Sequence, residues 1–263
     1  MSVHARKRKI AYGEFEHNMR RFCKQLYERL NSVPARYQRY INPKLYNSAN
    51  RAYTALIYAN EQNGNTEKGR ARREMFFNEA LKCLKELQKP LYAAFNVLDA
   101  TEGGMQVFID LLNREVALIY GITRKEYSPM FYALPRRKFQ TILFLQKMSE
   151  LHKYTYEKIG HAPKYCRDTL CAQIVDMADT ALYWVVDANH TIPQTKAEAE
   201  KRDEKLKNAI DSLNAMQRPM LALWNLMDYS ERIMDEWAGL LDEELRLLEG
   251  LRKADKARYK SLK

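Results

Sequence analysis

The sequence predicts an all-α protein made of two tandem antiparallel four-helix bundles, and three observations predict it. The chain of 263 residues is written twice: shifted by 129 positions, residues 7–124 lie on 136–253 without a gap. Only 9 residues are glycine, while Ala, Leu, Glu, Lys and Arg abound, which disfavours hairpin-rich β folds and disordered classes. In each copy, apolar residues recur at three- and four-residue steps in four successive blocks, the period of amphipathic helices.

The first helix carries Phe15, Met19, Phe22, Leu26 and Leu30, answered in the second copy by Phe144, Met148, Leu151, Thr155 and Ile159. It ends before Pro34 and Pro163, because a residue preceding proline is biased away from helical angles. The second stripe uses Tyr46, Ala49, Tyr53, Leu56 and Ile57, or Val175, Ala178, Leu182, Val185 and Val186, and closes near Asn60 and Asn189. A polar segment follows in each copy. The third carries Phe77, Ala80, Leu81, Leu84 and Leu87, or Leu206, Ala209, Ile210, Leu213 and Met216. Pro90 and Pro219 should then kink or break it, with Leu91, Phe95 and Leu98, or Met220, Trp224 and Met227, carrying the stripe onward. The fourth helix opens at Thr101-Glu102 or Ser230-Glu231, a cap followed by an acid at the positive helix end. It runs through Met105, Phe108, Ile109, Leu112, Val116 and Ile119, or Met234, Trp237, Leu241, Leu245 and Leu248. Four helices with short connections and one apolar face each are satisfied by an antiparallel bundle.

A repeat of this length is an ordinary domain, so the boundary is expected at residues 1–127 and 128–263, with Lys125 to Met130 as linker. No stretch approaches a membrane span, since the most apolar one, residues 170–186, carries Asp176 and Asp179. The first residues carry no apolar run of a secretory signal, which points to the cytoplasm. Cys23, Cys83, Cys166 and Cys171 do not occupy matching positions and show no metal-ligand spacing, so they read as reduced thiols.

Nucleotide-binding, hydrolase and zinc-protease motifs are absent, and no cofactor is implied. The one Glu-x-x-His, Glu14-Phe15-Glu16-His17, stands in a single copy without a partner motif, so a di-iron bundle is not indicated. The histidines fall at unmatched positions, and His152 reads as a packing or surface residue. The paired acids Glu28/Glu157, Asp99/Asp228, Glu102/Glu231 and Glu115/Glu244 suit caps and inter-helix salt bridges. A non-enzymatic protein is the expectation.

The net charge of +11 is unevenly shared. Residues 1–128 hold 22 Lys and Arg against 13 Asp and Glu, and residues 129–263 hold 22 against 20. A basic surplus favours polyanions through counterion release. Among 17 tyrosines, Tyr27, Tyr37, Tyr40, Tyr46, Tyr53 and Tyr58 alternate with Arg29, Arg36, Arg39, Lys44 and Arg51, a pattern that suits base stacking beside phosphate contacts. The same tyrosines also suit the rim of a bundle, and both readings stand. Basic residues kept in both copies add Arg8/Arg137, Lys9/Lys138, Arg72/Lys201 and Arg73/Arg202. The candidate nucleic-acid-binding set is therefore Arg8, Lys9, Arg29, Arg36, Arg39, Lys44, Arg51, Arg72, Arg73, Arg137, Lys138 and Arg202.

The run Leu30-Asn31-Ser32-Val33-Pro34-Ala35-Arg36-Tyr37, the polar loop after Asn60, the basic helix beyond it and the closing residues 111–121 carry a family resemblance. They resemble the four-helix-bundle proteins encoded beside bacterial reverse transcriptases, the accessory variability determinants of diversity-generating retroelements, and the related bundle proteins of ribosomal RNA intervening sequences. The resemblance covers both copies and implies a non-enzymatic, pentamer-forming protein that binds a reverse transcriptase and its template RNA or an RNA/DNA hybrid during mutagenic cDNA synthesis. This chain departs by carrying two bundles. A five-membered ring then needs two chains plus a single bundle, or another stoichiometry. A helical protein-interaction scaffold whose charge serves only solubility is the alternative.

Overall fold

The structure is a computed structural model; it describes residues 3–62, 64–123, 129–134, 136–227 and 230–262, with side chains from residue 14 onward except those of 136, 137 and 140. Every regular element among the described residues is helical. In the first copy these are α1 (Val3–Leu30), α2 (Ala35–Glu61), α3 (Glu67–Val97) and α4 (Glu102–Thr123). A short α5 (Arg136–Thr141) precedes α6 (Leu143–Gly160). One turn, α7 (Lys164–Cys166), a π-helical segment Arg167–Cys171 and α8 (Ala172–His190) run on end to end, followed by α9 (Lys196–Leu226) and α10 (Glu231–Arg258).

The chain forms two compact units, Met1–Leu91 with Ala100–Ala133, and Tyr92–Asp99 with Leu134–Lys263. The division therefore falls a few residues beyond the expected 127/128 boundary. It also gives the last turns of α3 to the second unit.

In the first unit α1 packs against α2 and α4. All five residues of its predicted stripe are buried, and two rings make edge-to-face contacts, Phe15 with Phe77 of α3 at 5.8 Å and Phe22 with Phe108 of α4 at 6.0 Å. The α2 stripe differs from expectation. Its core residues are Tyr37, Tyr40, Ile41, Leu45, Ala49, Ala52, Ala55, Leu56 and Ala59, while Tyr46, Tyr53 and Ile57 lie half-buried at the margin. Small alanines let neighbouring helices approach closely, so packing selects a face that ranking residues by hydrophobicity alone does not.

Segment 129–133 is held to the first unit by two side chains, Asn113 and Gln88. Asn113 Oδ1 accepts the N–H groups of Met130 and Phe131 at 3.1 and 2.9 Å, and Asn113 Nδ2 donates to the Phe131 carbonyl at 2.7 Å. Gln88 donates to the Met130 carbonyl, and the Phe131 ring is buried. Lys125 to Ser128 lie outside the described residues.

In the second unit, α6 touches α8 and α10, and α9 touches α8 and α10, so the four long helices close a ring of contacts. The expected stripe of α8 is buried throughout, and that of α9 from Leu206 to Met220, while Trp224 and Met227 at its end are half-buried. On α6 the polar Thr155 sits in the core because its hydroxyl accepts the indole N–H of the buried Trp237 at 3.0 Å.

The two prolines expected to kink or break the third helix leave it unbroken. Both Pro90 and Pro219 lie inside continuous helices of 31 residues. An interior proline costs about 3 kcal/mol. Burial of Leu87, Leu91, Tyr92 and Phe95 on α3, and of Met216, Met220 and Leu223 on α9, offsets it, since each buried apolar side chain contributes ~1.5–3 kcal/mol.

Candidate nucleic-acid interface

Apart from Arg51, the described cations of the candidate set in the first unit, with Lys68 and Arg70 beside them, fall in two groups. Arg29 in the last turn of α1 and Arg36 and Arg39 in the first turns of α2 are exposed, and Lys44 is half-exposed one turn further on. Arg36 spreads its guanidinium 4.7 Å from the centre of the Tyr37 ring. The second group opens α3, where Thr66 caps the helix by accepting the Gly69 N–H at 3.0 Å. Lys68, Arg70 and Arg72 are all exposed there, and Arg73 is half-buried with its guanidinium 5.5 Å from the Phe77 ring. α2 has 27 residues, so at 1.5 Å per residue the two groups stand on the order of 35 Å apart along its axis. The predicted cations therefore do not form one patch.

The α3 group carries a charge that local structure does not explain. Cations at a helix N-terminus oppose the partial positive charge of its free N–H groups, at about 0.3–1 kcal/mol each. Lys68, Arg70 and Arg72 sit there with Glu67 and Glu74 as the only acids in the same turns. Lys68 and Arg70 were missed by comparing copies, because their counterparts in the second copy are Ala197 and Ala199. Local charge density on one helix end was the signal that could have found them.

Several predicted members take other roles. Arg202 is 9 % exposed and donates to Asp255 at 2.7 Å, to the Thr191 carbonyl at 2.9 Å and to the Ala188 carbonyl. It closes the C-terminus of α8 and is no surface contact. In the second copy it stands against the last carbonyls of the preceding helix, which need donors. Arg51 bridges Glu79 and Glu86 of α3, both at 2.9 Å, so two carboxylates already neutralise it. Lys138 is exposed on α5. The side chains of Arg8, Lys9 and Arg137 lie outside those described.

The tyrosines are mostly withdrawn from solvent. Tyr37 and Tyr40 are buried, Tyr27 and Tyr46 pair with ring centres 4.9 Å apart, and Tyr53 is half-buried. Tyr58 alone of that set is largely exposed, at 48 %, and leans on Phe76 at 5.5 Å.

The core of the second unit holds a polar chain that the sequence did not announce. Ser149 Oγ donates to Asn96 Oδ1 at 2.7 Å, which orients the amide so that its Nδ2 faces His152 Nδ1 at 3.1 Å. Nδ1 then accepts, the Nε2–H donates to Asp179 at 3.1 Å, and Tyr156 donates to the same carboxylate oxygen at 3.0 Å. All five side chains are buried, which removes them from contact with a substrate. Tyr27 donates to Asn50 at the matching positions of the first copy, so this hydrogen bond is kept while Asn50 becomes Asp179 and Cys23 becomes His152. The visible hint was Asp179 inside the most apolar stretch of the chain.

The repeated pair Glu115/Glu244 is also corrected. Neither forms the expected salt bridge: both are fully buried on the inner faces of α4 and α10. One Glu115 oxygen accepts from Asn18 Nδ2 at 2.7 Å and the other has no hydrogen-bond partner; both oxygens of Glu244 lack one. Burial pushes the Glu115 carboxyl up to about 8 and holds that of Glu244 well above the usual carboxylate range.

Among the described residues no group of three His, Cys, Asp or Glu is placed to hold a metal ion, and no helix is long and apolar enough to cross a membrane. No family model matches the chain, and neither a curated protein nor a solved structure matches it.

Proposed function

We propose that this protein is a non-enzymatic accessory factor of a bacterial reverse transcriptase of the diversity-generating retroelement type, binding template RNA or an RNA/DNA hybrid through its first unit. The observation that carries the reading is the exposed Lys68, Arg70 and Arg72 cluster on the first turns of α3, where the helix itself disfavours cations. A phosphate backbone relieves that repulsion and is met at the same place by free helical N–H groups. Arg29, Arg36 and Arg39 at the far end of α2 supply a second contact, so a strand or duplex laid along the helix engages both. The net +9 of residues 1–128 supports the assignment to the first unit, and the resemblance in residues 30–37 and 111–121 supports the polymerase as protein partner. Ring-like self-association and a cytoplasmic setting belong to the same proposal.

The test is fluorescence anisotropy of labelled structured RNA and RNA/DNA hybrid across a salt series. The logarithm of affinity should fall linearly with that of salt, and the variant K68E/R70E/R72E should weaken binding and reduce the slope by about 0.7–0.9 for each phosphate contact removed. R36E/R39E should act in the same direction. Binding that survives both reversals overturns the interface. Absence of any binding at physiological salt, with a stable polymerase or other protein complex, selects the scaffold reading instead.

A further inference from the structure

Cys166 and Cys171 are five residues apart, a spacing that an α-helix places about 140° apart around its axis. Here the chain between them is π-helical, with i→i+5 hydrogen bonding, so residues five apart stack nearly in line. The consequence is direct contact: Cys171 Sγ lies 3.9 Å from Cys166 Sγ, both reduced, and the Cys166 thiol donates to the Pro163 carbonyl at 3.2 Å. Their two side chains are buried, while Asp168 and Thr169 on the same π-helical segment are exposed.

We infer that Cys166 and Cys171 are a thiol-disulfide modification site, oxidised within the folded chain by a small disulfide such as oxidised glutathione. A disulfide needs about 2.05 Å between sulfurs, so closure takes roughly 2 Å of movement, within reach of a π turn relaxing locally. Cys166, as thiolate, attacks one sulfur of oxidised glutathione; a bond to Cys166 forms, the glutathione disulfide breaks and one glutathione thiolate leaves. Cys171, as thiolate, then attacks Cys166 Sγ and displaces the second glutathione thiolate. The protein loses two protons and two electrons, and one glutathione disulfide becomes two thiols. Cys23 on α1 and Cys83 on α3 are each buried without a sulfur neighbour among the contacts described, and they stay reduced.

The experiment treats the purified full chain with oxidised glutathione under native conditions, blocks remaining thiols and digests with trypsin without reduction. Cleavage after Lys164, Arg167 and Lys196 separates the two cysteines, so the expected product is peptide 165–167 joined to 168–196. That species should disappear on treatment with dithiothreitol and in both C166S and C171S, while circular dichroism stays helical throughout. The inference is overturned if the linked peptides form only after denaturation, if helicity is lost as they form, or if Cys23 and Cys83 take up glutathione while Cys166 and Cys171 remain thiols.

Discussion

Glu115 sets a pH dependence that a single substitution can isolate. Its carboxyl has a folded value of about 8 against an ordinary 4.5, because burial disfavours the charged form. Between those values the folded state holds more protons than the unfolded one, so stability is fully present below pH 4.5 and is lost as pH rises toward 8. Glutamine keeps the acceptor for Asn18 and carries no charge. E115Q should therefore remove a loss on the order of 3 kcal/mol between pH 5 and pH 8, read from urea midpoints of wild type and variant at both values. An equal pH dependence in the two proteins would refute it. At this scale the sequence located residues better than roles. The 129-residue register flagged Glu115/Glu244 and Arg73/Arg202, but whether a repeated charge faces water or the core depends on which helix covers it, and spacing along one chain does not contain that.

Elements were legible where the signal is local. The helices end before Pro34 and Pro163 and around Asn60 and Asn189, as turn chemistry dictates. Of the two predicted caps, Thr101 accepts the Gly104 N–H at 3.1 Å, whereas the Ser230 side chain makes no cap hydrogen bond. The strongest N-terminus is one that the apolar stripes did not reveal. Thr195 accepts the Glu198 N–H at 3.3 Å and Glu198 returns to the Thr195 N–H at 3.1 Å, a reciprocal capping box on α9. T195A should accordingly cost about 1 kcal/mol in chemical denaturation and S230A less than about 0.5 kcal/mol. A reversed order would show that the caps do not act through these bonds. Prolines misled because their penalty is local and fixed while the compensation is tertiary. The π segment was invisible for the same reason: residues 167–171 carry no composition that distinguishes them from an ordinary turn of helix.

Across the whole molecule, the unit of folding is offset from the unit of repetition. Asn96 lies in the first copy, yet Tyr92–Asp99 groups with the second unit and supplies the amide that meets Ser149 and His152. A chain begun at Leu134 lacks that partner and leaves buried polar groups unsatisfied, at about 1–3 kcal/mol. It should unfold at lower urea than the same unit in the full chain, and N96A in the full chain should reproduce much of the difference. Equal midpoints for the fragment and for the full chain's second transition would show that the offset has no energetic weight.

The sequence by itself determined the all-α class, the positions of the long helices, the duplication and the concentration of positive charge in residues 1–128, because periodicity, proline placement and charge are written residue by residue. The tertiary structure decided which repeated charges are buried, that Arg202 is occupied by a carboxylate and carbonyls and Arg51 by carboxylates, that Lys68, Arg70 and Arg72 are exposed in the first turns of α3, and that Cys166 meets Cys171. Burial and pairing depend on surfaces brought together from distant parts of the chain. The 129-residue register therefore identifies equivalent positions, and only packing assigns each its environment.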